Sequence, residues 1–489
     1  MDPRASLSWV WPEVVVVATI VAVILADIVR WRALACGLTV VGFAAAAALI
    51  QNQGEAGAIA FQNAYAVDGF ASAFKLMFLG AGLLTALFSG PAIRAWTSGR
   101  AEYFALLASC VFGMMIMAGA NDLLLMYLSL EFVSITSYIM AGLLRKNRKS
   151  AEASLKYIIY GAGASGMMIY GMSFLYGLTG TLDVRALGQR LAELQPNVPP
   201  TLTLVTSVLI LAGFGYKIAA APFHMWCPDV YEGAPTPVTA FFSVGPKAAG
   251  FAMLARYIDG VFPATAGGPF EWKLVLALIA VLTMAVGNFG ALRQQNLKRL
   301  LAYSSIAHAG YLLVAFAAFT EASRQAMLFY LVVYVVMNLG AFLVVLFLEE
   351  RYGIETVDGC RGLGWKNPQI GVLTTVFLFS LTGLPPTAGF VGKLLVFSTV
   401  IEHGLTGRDQ LGIALVVVAL LFSVVSLFYY MRIAAAMWLS KPREGAEEPL
   451  PSGGTAVYSA LLWLLALLTV GLGVWWGPLQ TFSKLAVLK

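Results

Sequence analysis

Only 11% of the 489 residues are Asp, Glu, Lys or Arg, and 60% are hydrophobic, whereas soluble domains carry about 25% charged residues. That leaves too little polar side chain to cover a water-facing surface and excludes a soluble globular enzyme. Cysteine is nearly absent. Cys36, Cys110, Cys227 and Cys360 lie far apart and form no C-x-x-C pair, the spacing expected of zinc or iron–sulfur ligands. Histidine occurs only as His224, His308 and His403, with no H-E-x-x-H pattern. No metal or redox centre is legible in the chain. The net charge of +6 does not point to nucleic acid either, because the basic residues are scattered through short gaps instead of gathering on one face.

What remains is apolar sequence, with a mean hydropathy of +0.81. Runs of about 20 residues, the length a bilayer demands, recur at 9–28, 32–50, 69–90, 102–119, 122–143, 154–177, 202–222, 235–257, 272–291, 299–318, 325–348, 370–401, 410–432 and 455–476. The expected fold is therefore an all-α polytopic membrane protein with 14 transmembrane helices. The first run has only Arg4 ahead of it, carries Glu13 and Asp27, and lacks a small-residue cleavage site, so it reads as a retained helix rather than a signal peptide. A short amphipathic surface helix is expected around Asp183 to Leu194.

Orientation follows from counting Lys and Arg, which accumulate in cytoplasmic loops. With the amino terminus outside, the inward gaps hold 18 of them, including the cluster Arg145, Lys146, Arg148 and Lys149, and the outward gaps and ends hold 9, among them Arg4, Arg408 and Lys489. Both termini are expected outside, and the cluster reads as a topology-setting, headgroup-facing feature. Four lysines are left over, Lys75, Lys217, Lys247 and Lys393, all within apolar runs.

A lysine at the bilayer centre costs about 2.5–3.5 kcal/mol on insertion scales, so each needs a partner, a wet cavity or an escape. Lys75 follows Asp68 near the outer end of its span and is expected to snorkel to the interface. Lys217 stands five residues before Pro222, which removes a backbone donor. Lys247 sits mid-span behind Gly245 and Pro246. Lys393 follows a Pro-Pro-Thr-Ala-Gly interruption, and broken backbone at that depth must be buried in protein or line water. Glu131 is the carboxylate deepest in a span. A structural ion pair between Glu131 and one lysine is the plainer account, but it leaves two central lysines unexplained. The formal G-x-G-x-x-G at 161–166 interrupts an apolar run instead of following a strand, so it reads as close helix packing through small residues and not as a nucleotide site.

The two interrupted helices, the seventh and the twelfth, hold corresponding places in helices 4–8 and 9–13. Discontinuous helices at matching positions are a mark of inverted repeats, and five helices per block force the second to be upside down. This gives an N-terminal three-helix segment at 1–100, a first repeat at 101–260, a second at 261–437, and a cytoplasmic loop with helix 14 at 438–489.

At this point the residues resemble a known family. The stretch AAAPFHMWCPDVYEGAPTPVTAFFSVGPKAAGFAML (219–254), together with LEFVSITSYIMAGLLRKNRKSAEASLKYIIYGA, GNFGALRQQNLKRLLAYSSIAHAGYLL and LTGLPPTAGFVGKL, is similar to the antiporter-like subunit N of proton-pumping NADH-quinone oxidoreductase, respiratory complex I. The resemblance spans about residues 100 to 440. It implies that Glu131 pairs with Lys217, that Lys247 is a central proton relay and that Lys393 lies toward the outward exit. Lysine rather than glutamate at 393 agrees with subunit N and not its neighbour M. His308 lies in a polar patch with Ser304 and Ser305, as a bridge in a hydrated chain or as a packing residue. His224 follows the Pro222 break and could belong to an entry path. No cofactor is expected in this chain; NADH, FMN, iron–sulfur clusters and quinone are expected on partner subunits, in contact with this one through the membrane and peripheral arms of a bacterial inner-membrane complex. A cation/proton antiporter subunit without a redox partner, and a purely structural membrane subunit, are the alternatives.

Overall fold

In the computed structural model the residues described are 7–53, 57–94, 96, 99–194, 198–261, 272–407, 409–442, 455–486 and 488. Arg4, Arg408, Arg443 and Lys489 from the charge count, and most of the loop placed before helix 14, lie outside them. Among the described residues 14 helices are long and apolar enough to cross a membrane, as expected where a backbone in hydrocarbon must satisfy its own hydrogen bonds. In chain order the α-helices are α1 Trp11–Ile28, α2 Ala35–Gln53, α3 Gly69–Ile93, α4 Arg100–Gly119, α5 Leu123–Ala141, α6 Arg148–Thr179, α7 Val184–Leu194, α8 Pro200–Ile218, α9 Trp226–Gly233 and α10 Thr236–Val261. They continue as α11 Trp272–Leu292, α12 Leu297–Val314, α13 Glu321–Tyr352, α14 Leu363–Lys366, α15 Pro368–Thr382, α16 Ala388–Gly407, α17 Gln410–Leu439, α18 Thr455–Val474 and α19 Gly477–Ser483.

Side-chain caps mark where several spans start. Asp68 accepts from Ala71 N, Asp122 from Leu124 N and Leu125 N, and Asn147 from Lys149 N and Ser150 N, each satisfying amide groups that a helix start leaves open. The amphipathic surface helix appears as α7, with Val184, Leu187 and Leu191 buried on one side. The connector between α2 and α3 holds a hairpin that the hydropathy pattern does not predict: β1 Ala58–Ala60 pairs antiparallel with β2 Tyr65–Val67, in register Ala58 to Val67.

Contacts between connectors sort the gaps into two sets. At one end, Asn121 N bonds Ala64 O and Val184 N bonds Asn121 O, while Arg324 reaches Asp259 at 2.6 Å and Lys273 pairs with Asp409. At the other, basic end, Leu297 N bonds Glu355 O, Val357 N bonds Gln295 O and Gly362 N bonds Ala436 O. The two sets are alternate gaps along the chain, so successive spans run in opposite directions and the first and last described helices begin and end on the same side.

The hydropathy pattern reads α10, α12 and α13 as spans like any other, yet they form the interior. The α10 window is buried throughout and those of the other two almost throughout. The α10 helix packs against α3, α4 and α13, and α13 against α16 and α18. A helix apolar on every side belongs in such a position, and α10 carries Lys247 into it.

Both expected interruptions are present. The α8 helix stops at Ile218, with Ala219 in the left-handed region at φ 57°, and the chain resumes as α9 at Trp226. This break begins before Pro222 instead of at it. The span expected over 370–401 is split after Thr382, where Gly383 has φ 89°, and restarts at Ala388.

Candidate functional site

Lys217 is the penultimate residue of α8 and is buried. Its ammonium donates to Ser134 Oγ at 3.0 Å, and its stem lies against α10 at Gly250, where an added Cβ would stand 3.2 Å from Lys217 Cγ. Gly250 is one turn beyond Lys247 on the same helix, so the two lysines share one wall of the interior.

Lys247 donates to Ser305 Oγ on α12 at 2.6 Å and to Cys227 Sγ at 3.7 Å, with the Tyr231 ring centroid at 5.3 Å. The neighbouring Ser304 shares a short hydrogen bond with the Tyr430 hydroxyl of α17. Tyr430 in turn meets His308 Nε2 at 3.3 Å, and His308 Nδ1 meets Tyr330 Oη at 2.7 Å. Which His308 nitrogen carries the proton depends on the tautomer. His308 is thus hydrogen-bonded to Tyr330 and Tyr430 and also packs against the rings of Tyr311 and Tyr334.

Lys393 lies one turn and a half into α16 and turns back over the break. It donates to Thr382 O at 2.7 Å, Leu381 O at 3.4 Å and Ser423 Oγ at 2.8 Å. The last carbonyls of a helix have no partner in that helix and carry its negative dipole end. A cation placed there is stabilised without a carboxylate.

Glu131 occupies the middle of α5, half-buried, one turn before Ser134. The implied Glu131–Lys217 ion pair is not formed: Lys217 is engaged by Ser134, and Glu131 Oε1 is buried with no hydrogen-bond partner. The serine takes the place nearest the ammonium, so carboxylate and amine share a neighbourhood and not a bond.

Lys75 is a second correction. It does not snorkel: it is 1% exposed and pairs with Glu13 of α1 at 2.8 Å. The hairpin folds over this end and supplies Tyr65, whose hydroxyl donates to the same Glu13 oxygen at 2.7 Å. Beside it Asp68 binds Arg256 of α10 through two hydrogen bonds of 2.9 Å. Burial pushes Asp68 upward, but the charge and hydrogen bonds of Arg256 hold it below the usual aspartate range.

His224 sits in the first break with Nδ1 buried and unpartnered. Burial, then the charge of Lys247, holds it below the ordinary histidine value. At the basic end Asp229 of α9 joins Lys156 of α6 at 2.7 Å to Arg299 of α12 at 2.5 Å. Among the described residues no three His, Cys, Asp or Glu side chains converge on a metal-sized site.

Sequence reading missed Ser134, Ser423, Asn288 and the phenols of Tyr311, Tyr330, Tyr429 and Tyr430. A tyrosine in an apolar run reads as packing, and no spacing links Tyr430 to a histidine 122 positions earlier.

Residues 120–431 match the family model for the transmembrane region of NADH:quinone oxidoreductase and Mrp antiporter proteins. The chain is 44% identical over 435 residues to NADH-quinone oxidoreductase subunit N 2 of Chloroherpeton thalassium, covering 87% of this chain and 83% of that protein. It is 43% identical over 521 residues to subunit N 2 of Sorangium cellulosum, covering 100% and 99%. Among solved structures, a chain of respiratory complex I from Thermus thermophilus superposes with TM-score 0.78 at 33% identity, over 96% of this chain and 98% of that one. A chain of the Mrp complex from Dietzia sp. reaches TM-score 0.81 at 22% identity, over 98% and 97%, a likeness of fold.

Proposed function

The chain belongs to the subunit N family of NADH-quinone oxidoreductases, within the wider NADH:quinone oxidoreductase/Mrp antiporter family, and from that premise we propose that Lys217, Lys247 and Lys393 carry protons through it while Glu131 governs Lys217. It is a proton-translocating membrane subunit of complex I, driven by quinone reduction elsewhere in the assembly. No redox step and no cofactor belong to this chain; NADH, FMN, iron–sulfur clusters and quinone are held by partner subunits.

One contrast carries the reading. The buried cations Lys75 and Arg256 are each matched by a carboxylate, Glu13 and Asp68, as structural ion pairs require. Lys217, Lys247 and Lys393 form no ion pair among the described residues and are held by serine hydroxyls, a thiol, helix-end carbonyls and ring faces; Lys298, also buried without an ion pair, differs in lying at the start of α12 at the basic end, where it donates to Ala234 O at 3.3 Å. Such neutral acceptors hold an ammonium without locking it, so the group can lose and regain its proton.

The basic end faces the cytoplasm by the distribution of Lys and Arg, in a bacterial inner membrane with both termini outside. Protons enter near the first break, past His224, and load Lys217. They pass to Lys247 and then through Ser305, Ser304, Tyr430 and His308 toward Lys393, and leave outward along α16. Helices 4–8 (101–260) and 9–13 (261–437) act as inverted repeats, each breaking its fourth helix beside a lysine. If Glu131 and Lys217 approach to about 4 Å at an effective dielectric near 20, their attraction is about 4 kcal/mol. Moving a charge through 100 mV takes about 2.3 kcal/mol, so a side-chain movement is enough to set the direction of transfer.

In the assembled complex, Glu131→Ala and Lys217→Ala should lower the proton-to-electron ratio severalfold while quinone reduction persists. A normal ratio with both replaced rejects the assignment. Lys247→Ala needs a parallel check of assembly, because a missing subunit imitates a missing relay.

A further inference from the structure

The ammonium of Lys393 lies 4.6 Å from the centroid of the Tyr311 ring. A cation over a ring face is attracted by its negative quadrupole, most strongly where water is excluded, and both residues are buried. The ring packs edge-on against His308 and Phe397, and the far end of its side chain is hydrogen-bonded. The Tyr311 hydroxyl meets Asn288 Nδ2 at 3.2 Å and Oδ1 at 3.5 Å.

Asn288 lies on α11, fully buried. Its Nδ2 also donates to Met284 O at 2.8 Å, and its Oδ1 accepts from Tyr429 Oη at 3.3 Å. An amide offers two donors and an acceptor oxygen, and here they serve the main chain of α11, one phenol from α12 and one from α17. Met, Leu or Val would fill the same volume between these helices and leave two buried hydroxyls without this partner. Asn288 is not itself a member of the transfer route described above, and it touches no cation.

Resting on the reading of Lys393 as a proton carrier, we propose that Asn288 is a positioning residue for it: the amide tethers the Tyr311 hydroxyl, which keeps the ring face beneath the ammonium at the broken end of α15. The same amide holds Tyr429, whose ring lies 4.4 Å from that of Tyr430, so it steadies the phenol that reaches His308. The titratable groups around Lys393 are His308 and Tyr311 on α12, Tyr330 on α13, and Tyr429 and Tyr430 on α17, with no carboxylate paired to the ammonium among the described residues. From α15 come carbonyl oxygens alone. The ring face is thus the part of this surrounding that a neutral substitution elsewhere can move.

The test uses the intact complex in vesicles, with the proton-to-electron ratio followed against pH for Asn288→Leu, Tyr311→Phe and the double variant. Loss of a buried cation–π contact lowers the proton occupancy of the amine about tenfold, which moves the midpoint of the profile by about one unit toward acid. Both single variants should show this shift, and the double variant should go no further, because each breaks the same tether. An unshifted profile in Asn288→Leu, or a lower ratio at an unchanged midpoint, overturns the proposal and leaves Asn288 a packing residue. If Asn288→Leu does not assemble, Tyr311→Phe, which deletes one oxygen atom, decides alone by the same criterion. Lys393→Met separates the premise from the proposal: full pumping in that variant removes Lys393 from the route, whereas lost pumping there beside an unshifted Asn288→Leu removes only the tether.

Discussion

Lys393 donates a 2.7 Å hydrogen bond to the main-chain carbonyl of Thr382, the last residue of the helix that breaks in front of it. The lysine thereby caps a severed helix, and this duty is separable by substitution from the proton-carrying role proposed for it.

Gly383 makes this arrangement possible. Its φ of 89° is one that side chains disfavour, and an added Cβ would stand 2.9 Å from Lys393 Cδ. Gly383→Ala should destabilise the subunit by roughly 1–3 kcal/mol and displace the ammonium from the carbonyls. A lower thermal midpoint in detergent together with a reduced proton-to-electron ratio is the expected result, and unchanged pumping would show that the carbonyl cradle is dispensable.

The Glu13–Lys75 pair should respond oppositely to one change and to two. Glu13→Ala strands a buried ammonium, and breaking such a pair typically costs about 3–5 kcal/mol. Replacing both residues with Leu or Met removes the charge along with its need for a partner and should be close to neutral. Thermal unfolding of the wild type, the single variant and the double variant measures this. Equal losses in the single and double variants would mean that the pair itself, and not the isolated charge, holds the N-terminal helices in place.

Asp229 supplies a pH-dependent contribution. Burial raises its pKa, but hydrogen bonds and charge from Lys156 and Arg299 leave it below the ordinary aspartate value. A carboxyl depressed in the folded state stabilises above its unfolded pKa, about 3.9, and the benefit is lost as pH falls through the folded value. The wild type should therefore unfold at a higher temperature than Asp229→Asn near neutral pH, with the difference closing below about pH 4. A gap that stays constant down to strong acid would place the effect in packing rather than ionisation.

The spans, the two breaks and the three central lysines were readable because each rests on a local signal: apolar length, proline or glycine in a span, a cation where none belongs. Lys75 was misread for the same reason. Its distance from the span end suggested an escape to the interface, and nothing in the intervening 61 positions marked Glu13 as a partner or Tyr65 as part of a hairpin. Glu131 was recognised by its depth, but the hydroxyl standing between it and Lys217 belongs to an ordinary-looking serine one turn away. The tyrosine and asparagine groups around His308 come from four helices, three consecutive ones (α11, α12 and α13) and the more distant α17. Such a cluster exists only after packing.

The bidentate bond between Asp68 and Arg256 reaches from the third span to the eighth and has a genealogical implication. Any descendant that sheds the first three helices would abandon a guanidinium in an oily interior, so the loss could be tolerated only alongside exchange of that arginine for an uncharged side chain, or recruitment of an acid from a neighbouring subunit.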